Sequence, residues 1–534
     1  MSEYAGTGAL TRLALRRDRV LLPVWIAVFV LTVASTASAT LGLYPTAAAR
    51  AEAAAAVNDI PAFVAWYGRV WDPTSLGALS IMKLGAFGAA MVGLLAALLV
   101  VRHTRAEEEA GRLELLGSTV VGRKAALTAA LLAVGLGMLA LGVLAALAQI
   151  AAGLPVAGSW AFGLSWALCG LAFAGVAAIT AQLTVSARAA SAWAAVVLVA
   201  AYLMRAMGDV WGDAAEPAFW SWLSPIGWAE QVRPYAGDRW WALLPPIAFT
   251  AAAVWLAYAL AARRDLGAGL LPDRVGPARA GARLASPLAL AWRLQRGVLA
   301  GWAVAFALLG AIFGSIATNL GDLLDSEAVQ ELFQRLGGTD VLTDAFVATE
   351  MGFVALFAAA YGVSASMRLH SEEQSGHAEV LLAGAVSRRR WLGSHVAVAA
   401  LGATLLCLVA GASAGISYGL SSGSLGKAAS VVAGLVAYLP AIWVMTALVV
   451  WLFGWLPRLV VLGWGALVAA VLVGELGLLL DLPQWVMDLS PFTHVPRIPG
   501  EDWTWGGWLA VLAVAIGLAA WGAAGFRRRD LDTP

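Results

Sequence analysis

Charge is what this chain has least of. Asp, Glu, Lys and Arg supply 13% of its 534 residues against 61% hydrophobic, and mean hydropathy is +0.80. Soluble globular chains carry about 25% charged residues, so the composition fits lipid rather than water as solvent. A net charge of +1, without dense basic runs interleaved with aromatics, leaves no electrostatic footprint for nucleic acid. Cysteine is nearly absent: Cys169 and Cys407 each lie inside an apolar run, without a neighbour at metal-ligand or redox spacing, and read as small hydrophobes. The five histidines show no metal spacing either, and His370 and His377 read as solvated, so no metal site is expected. Lysine is confined to Lys83, Lys124 and Lys427; the Arg, Ala and Gly bias fits a high-GC bacterial gene. A phosphate-binding loop is also missing. The nearest approach, Ser421-Ser422-Gly423-Ser424-Leu425-Gly426-Lys427-Ala428, has Ser in place of the first Gly and Ala in place of the Mg²⁺-binding hydroxyl.

Long apolar runs are what is there. A bilayer core of roughly 30 Å needs about 20 apolar residues per helix. Such runs fall at 20 to 41, 79 to 101, 124 to 152, 159 to 184, 189 to 208 and 242 to 262, then at 297 to 317, 349 to 367, 391 to 417, 428 to 453, 458 to 480 and 506 to 526. The fold class expected is an all-α polytopic membrane protein of twelve transmembrane helices. Residues 12 to 39 have the outline of a signal peptide, but the same entry pattern recurs mid-chain, which favours a retained first helix. With both termini placed in the cytoplasm, 25 of the 34 basic residues fall on cytoplasmic segments, as the positive-inside rule asks.

The twelve spans divide into two copies of one unit. Arg263-Arg264-Asp265-Leu266 recurs 265 residues later as Arg528-Arg529-Asp530-Leu531, and Glu107, Glu108, Gly111, Glu114 and Arg123 recur at that spacing as Glu372, Glu373, Gly376, Glu379 and Arg388. Leu223-Ser224-Pro225 recurs as Leu489-Ser490-Pro491. Arg16, Arg19 and Trp25 match Arg293, Arg296 and Trp302, so the first outer segment is about a dozen residues longer in the first copy. An even number of spans separates equivalent positions, which makes the copies parallel repeats whose interface is a natural substrate path. The expected domains are 1–266, with an N-terminal interfacial helix carrying Arg12, Arg16 and Arg19; a Gly/Pro/Arg-rich cytoplasmic linker, 267–287; and 288–534.

Between spans two and three the first copy reads Arg105-Ala106-Glu107-Glu108-Glu109-Ala110-Gly111-Arg112-Leu113-Glu114, and the second reads His370-Ser371-Glu372-Glu373-Gln374-Ser375-Gly376-His377-Ala378-Glu379. Acids early in a short helix suit its N-terminus, Glu108 and Arg112 stand four apart in the favourable order, and mid-helix Gly costs about 1 kcal/mol relative to Ala. Keeping acids and Gly in both copies points to a docking surface; a solvated turn kept by common descent is the competing reading.

The six-span unit, this Glu-Glu-x-x-Gly-x-x-Glu segment and the long outer loop with Ser-Pro resemble the permease of type-2 ABC exporters, and most closely the fused twelve-span actinobacterial permeases of the tetronasin-resistance type. The likeness spans essentially the whole chain on short motifs. It implies that residues 106 to 118 and 371 to 383 are coupling helices seated on two copies of a separate ATP-binding subunit. On that reading ATP and Mg²⁺ are bound by the partner, the chain itself is not an enzyme, and drug-like or lipid-like amphipathic molecules are exported across a bacterial cell membrane, the pattern of multidrug efflux and antibiotic resistance. Glu107, Glu108, Gly111, Arg112, Glu114, Glu372, Glu373, Gly376, His377 and Glu379 are then the ATPase-coupling candidates.

Charges inside spans are costly and therefore functional candidates. Lys83 and Glu350 sit at nearly equivalent places in the second and eighth spans, with Phe87 and Met91 below one and Phe353, Phe357 and Tyr361 below the other. These seven are the substrate-path candidates, with ordinary helix packing as the alternative. Arg205 and Glu475, near span ends, read as snorkelling. The outer loops, rich in Trp, read as an interfacial aromatic belt or a lid. Two other classes compete. A proton-coupled secondary antiporter shares the twelve-span pattern but wants a titratable group at mid-membrane. A polytopic enzyme wants clustered acids, for which only Asp209, Asp213, Glu216 and Asp238 are at hand.

Overall fold

The structure is a computed structural model that describes residues 2–117, 119–213, 215–271, 281, 284, 286–319, 339–422, 428–476, 483–496, 498 and 503–531. No strand occurs among them. They divide into two compact units, Met1–Gly276 and Pro277–Pro534.

The first unit runs α1 (Thr7–Arg17), α2 (Leu21–Leu43), α3 (Ala47–Asn58), α4 (Pro61–Tyr67), α5 (Leu76–Ile81), α6 (Gly85–His103), α7 (Arg105–Glu109), α8 (Arg112–Gly117), α9 (Ala125–Ala151), α10 (Val156–Leu183), α11 (Ala187–Trp211), α12 (Pro225–Gln231) and α13 (Leu244–Ala261). The second runs α14 (Pro287–Asn319), α15 (Thr339–Gln374), α16 (His377–Leu382), α17 (Arg388–Ser422), α18 (Ala428–Ala437), α19 (Leu439–Trp455), α20 (Leu462–Leu476), α21 (Gln484–Met487) and α22 (Trp505–Arg528). Among the described residues, eleven helices are long and apolar enough to cross a membrane. In the span expected at 458 to 480, a short 3₁₀ turn, Pro457–Leu459, leads into the 15-residue α20, and 477–480 lie outside the described residues.

Apolar helices without a polar stripe bury whichever face finds a neighbour. The apolar window of α10 is 78% buried at the centre of the first unit, against α6, α9, α11 and α13, whereas that of α2 is 17% buried and turns its side chains outward. Close approach relies on glycine. A Cβ on Gly142 of α9 would stand 2.4 Å from the carbonyl oxygen of Gly163 in α10, and one on Gly454 of α19 would stand 2.1 Å from that of Gly522 in α22. The Ser-Pro pairs start local helix. Ser224 Oγ accepts from the amides of Ile226 and Gly227, with Pro225 at the first helical position of α12; Ser490-Pro491 opens a 3₁₀ turn, Pro491–His494.

The segment after α2, longer than its counterpart in the second copy, contains α3 and α4. The second span begins at Gly85, so Lys83 lies in the turn between α5 and α6 and not on a helical face with Phe87 and Met91. Much of the expected linker, including 272–280, falls outside the described residues, as does most of the 421–428 near-match.

Candidate functional site

The segment after the second span folds as two short helices broken at Gly111, whose φ of 70° favours glycine. Gly376 breaks the equivalent segment with φ of 73°. The glycine therefore sits in the turn and carries no mid-helix cost.

Two acids on this segment, Glu107 and Glu108, point inward. Glu107 is buried, ion-paired with Arg17 of α1 and held by Arg112 Nε at 2.7 Å. Glu108 takes Arg105 at 2.8 Å and is clasped by Arg264, whose Nη2 and Nη1 lie 2.6 and 2.9 Å from its two oxygens. Arg105, 1% exposed, also donates to the carbonyls of Ala181 and Ala268. Asp18, next to Arg17, accepts from His103 at 2.5 Å and pairs with Arg102. α1 is thus pinned to the segment by charge on its inner face.

The second unit repeats this arrangement. Glu373 is clasped by Arg529 at 2.5 and 2.6 Å, the counterpart of Glu108 and Arg264. Arg388 donates to the carbonyls of Phe526 and Arg529 as Arg123 does to those of Ala261 and Arg264. Glu372 pairs with Arg368 at 2.5 Å and His377 at 3.4 Å. The partner supplied by α1 in the first unit, Arg17, is thereby replaced by an arginine one turn earlier on the acid's own helix.

What the two segments show outward differs from what the sequence suggests. Glu109, Arg112, Glu114 and Leu115 are exposed in the first, and Gln374, His377, Glu379 and Val380 in the second. Leu115 and Val380 occupy equivalent positions and are 74% and 76% exposed, with an acid immediately before each. Ser118, at the end of the first expected coupling helix, lies outside the described residues.

The path candidates scatter. Lys83 is exposed; Phe87 stacks on Trp66 at 5.8 Å, and Met91 is half-buried. Glu350 is half-buried beside Phe313, Met351 and Tyr418, while Phe353 and Phe357 are exposed. Tyr361 instead turns into the core of its unit, its ring 6.1 Å from that of Trp302. The helical step explains the departure, since eight residues advance a helix by about 80° beyond two full turns.

The sequence reading missed a buried charge cluster in the first unit. Arg205, placed there at the interface, is fully buried. It reaches Asp209 Oδ2 at 3.2 Å, Glu230 Oε2 at 3.8 Å and the carbonyls of Val64 and Ala65, and lies over the ring of Tyr202 at 4.4 Å. This joins α4, α11 and α12. The backbone N–H of Arg69 donates to Glu230 Oε1 at 3.1 Å, and Gly68, with φ of 90°, leaves room for that carboxylate. Burial, and after it the Asp209 charge, pushes the Glu230 carboxyl well above its ordinary range. Arg205 and Asp209 stand four apart on a helix whose one other charge is Arg188 at its start, a signal the sequence did contain. The Glu475 side chain lies outside the described residues. The other acids of the 209–241 segment have separate partners: Glu216 pairs with Arg233 and Arg239, Asp213 accepts from the amides of Ala215 and Glu216, and Asp238 accepts from that of Tyr235.

Comparison with known proteins gives two matches. A family model described as the C-terminal domain of multidrug efflux system permease Rv1217c matches residues 284–527. The chain is 45% identical over 533 residues to multidrug efflux system permease protein Rv1217c of Mycobacterium tuberculosis, an alignment covering 99% of this chain and 96% of that protein.

Proposed function

The chain belongs to the multidrug efflux permease family of that mycobacterial protein, and from this premise we propose that it is the transmembrane subunit of an ABC-type exporter of amphipathic drug-like or lipid-like molecules. It is a multi-pass membrane protein. The finer parts of the reading are twelve spans in two parallel six-helix repeats, both termini in the cytoplasm, kinship with the tetronasin-resistance type, and two separate ATP-binding subunits that hold ATP and Mg²⁺. The observation that carries it, beside full-length likeness, is the paired construction after the second span of each unit: Glu108–Arg264 and Glu373–Arg529 at one 265-residue spacing. A motor of two like subunits needs two like seats.

The geometry refines which residues do the seating. Glu107, Glu108, Glu372 and Glu373 hold each segment rigidly against its own unit, while Leu115 and Val380, flanked by Glu114 and Glu379, present an apolar tip with an acidic neighbour to the partner. Arg112 and His377 each touch a buried acid and stay exposed. Gly111 and Gly376 set the turn. Lys83, Phe87, Met91, Glu350, Phe353 and Phe357 stay candidates for a path between the repeats, to be tested by short-reagent crosslinking of cysteines at 83 and 350.

Purified alone, the chain should neither bind nor hydrolyse ATP, and it should acquire substrate-stimulated hydrolysis when an ATP-binding subunit copurifies. Hydrolysis by the chain free of any partner would overturn the reading. A proton-coupled antiporter is the second reading, favoured by the buried Asp209 and Glu230 carboxylates around Arg205.

A further inference from the structure

A cavity of about 480 Å³ opens in the second unit, walled by α19, α20 and α22 and closed at one end by the Ser490-Pro491 turn. Its walls are largely aliphatic, among them Leu448, Ala469, Val473, Val514 and Leu518, and among the described residues the lining includes no Phe, Tyr or Trp in a chain that holds 25 tryptophans. The polar groups gather at the turn. Asp488 is exposed, with one carboxylate oxygen taking Gln484 Nε2 at 2.9 Å, and His494 Nε2 lies 2.8 Å from the Asp488 carbonyl oxygen. Ser490 Oγ donates across to the carbonyl of Ala470.

The first unit fills the equivalent place with its own chain. After Leu223-Ser224-Pro225, α12 packs against α10, α11 and α13 with Ile226 fully buried, and Trp228 meets Phe249 of α13 edge-on at 5.6 Å. In the second unit His494 follows Pro491 as Trp228 follows Pro225, and Val514 follows Arg528 backwards by the same interval as Phe249 precedes Arg263. The Trp–Phe pair that plugs one unit is His and Val in the other, and both line the cavity.

We propose that this cavity binds the aliphatic chain of a long-chain alkylammonium, with its cationic head at the Asp488–His494 rim. The volume lies within the range of small-molecule sites. Apolar walls of aliphatic side chains, with the one ring, His494, held at the rim, suit a flexible alkyl chain better than a planar aromatic. An exposed carboxylate at the rim favours a cationic head. A membrane lipid offers the same chain chemistry from a second source. The site needs no ATP-binding partner, so its failure leaves the permease reading standing.

The test uses the full chain in phosphatidylcholine nanodiscs. Two photoreactive probes carry a diazirine in the chain, one an alkyltrimethylammonium and the other a phosphatidylcholine. Saturable labelling of 466–473 and 511–518 by the alkylammonium, competed by its unlabelled form, is expected. Rebuilding the plug with His494→Trp and Val514→Phe should abolish it, and Ala469→Phe, which fills from another wall, should do so if the double variant misfolds. Asp488→Asn should weaken competition roughly two- to fivefold, the span for one exposed charge pair. If only the phosphatidylcholine probe labels saturably and is blocked by the same variants, the cavity is a bilayer-lipid site and the alkylammonium assignment is overturned. Unsaturable labelling along all exposed helix faces, indifferent to the plugging variants, overturns the site itself.

Discussion

Arg264 clasps Glu108 with two guanidinium nitrogens, at 2.6 and 2.9 Å, across 156 residues of sequence, and Arg529 clasps Glu373 at 2.5 and 2.6 Å across the same interval. Each pair ties the end of a unit's last helix to the segment after its second. A force applied at either short helix is therefore delivered to two helices together.

These pairs are buried, with side-chain exposures of 8% and 7% in the first unit and 16% and 3% in the second. Removing one partner strands the other charge, at a cost of about 3 to 5 kcal/mol. Arg529→Met should lower the thermal unfolding midpoint accordingly, and adding Glu373→Leu should restore much of the loss. Equal loss in single and double variants would show that the acid was not waiting on that arginine.

Leu115→Asp and Val380→Asp change exposed tips and should leave stability within about 0.5 kcal/mol of wild type. Copurification of an ATP-binding subunit, or its stimulation by substrate, should fall in both variants. Unchanged assembly and stimulation in both would remove the seating role. Reversing Glu108 or Glu373 would be a poorer probe, because it breaks the internal clasp whatever the partner does.

Glu230 makes a pH prediction. Its carboxyl is raised in the fold, chiefly by burial and next by Asp209. The native state therefore binds a proton more tightly than the unfolded chain, whose carboxyl sits at about 4.3. The stability contribution is full below that value and is lost as pH rises toward the folded one. Wild type should melt progressively lower as pH rises above that unfolded value, and Glu230→Gln should flatten that slope. Parallel slopes would place the titration elsewhere.

Much of the fold was legible because lipid demands long apolar runs and because duplication left residues at a constant spacing. Glu107, Glu108 and Gly111 stand out in the sequence by their repetition, but their contacts were hidden: the partners Arg17, Arg264 and Arg529 come from distant helix ends, and no local pattern pairs them. Leu115 and Val380 vanish in a chain where apolar residues are everywhere, and only exposure marks them. Arg205 was read as snorkelling although Asp209 stood one turn away, since the sequence did not show α4 folding over it with the carbonyls of Val64 and Ala65.

The central claim is that ATP spent on a partner moves substrate through this chain. Inside-out vesicles from cells carrying the chain with its native partners test it, with uptake of a lipophilic cationic dye followed at constant ATP after an uncoupler has collapsed the proton gradient. Uptake should persist under the uncoupler and stop when ATP is withdrawn. Uptake that survives ATP withdrawal but dies with the gradient would contradict the account and make Asp209 and Glu230 the residues to pursue.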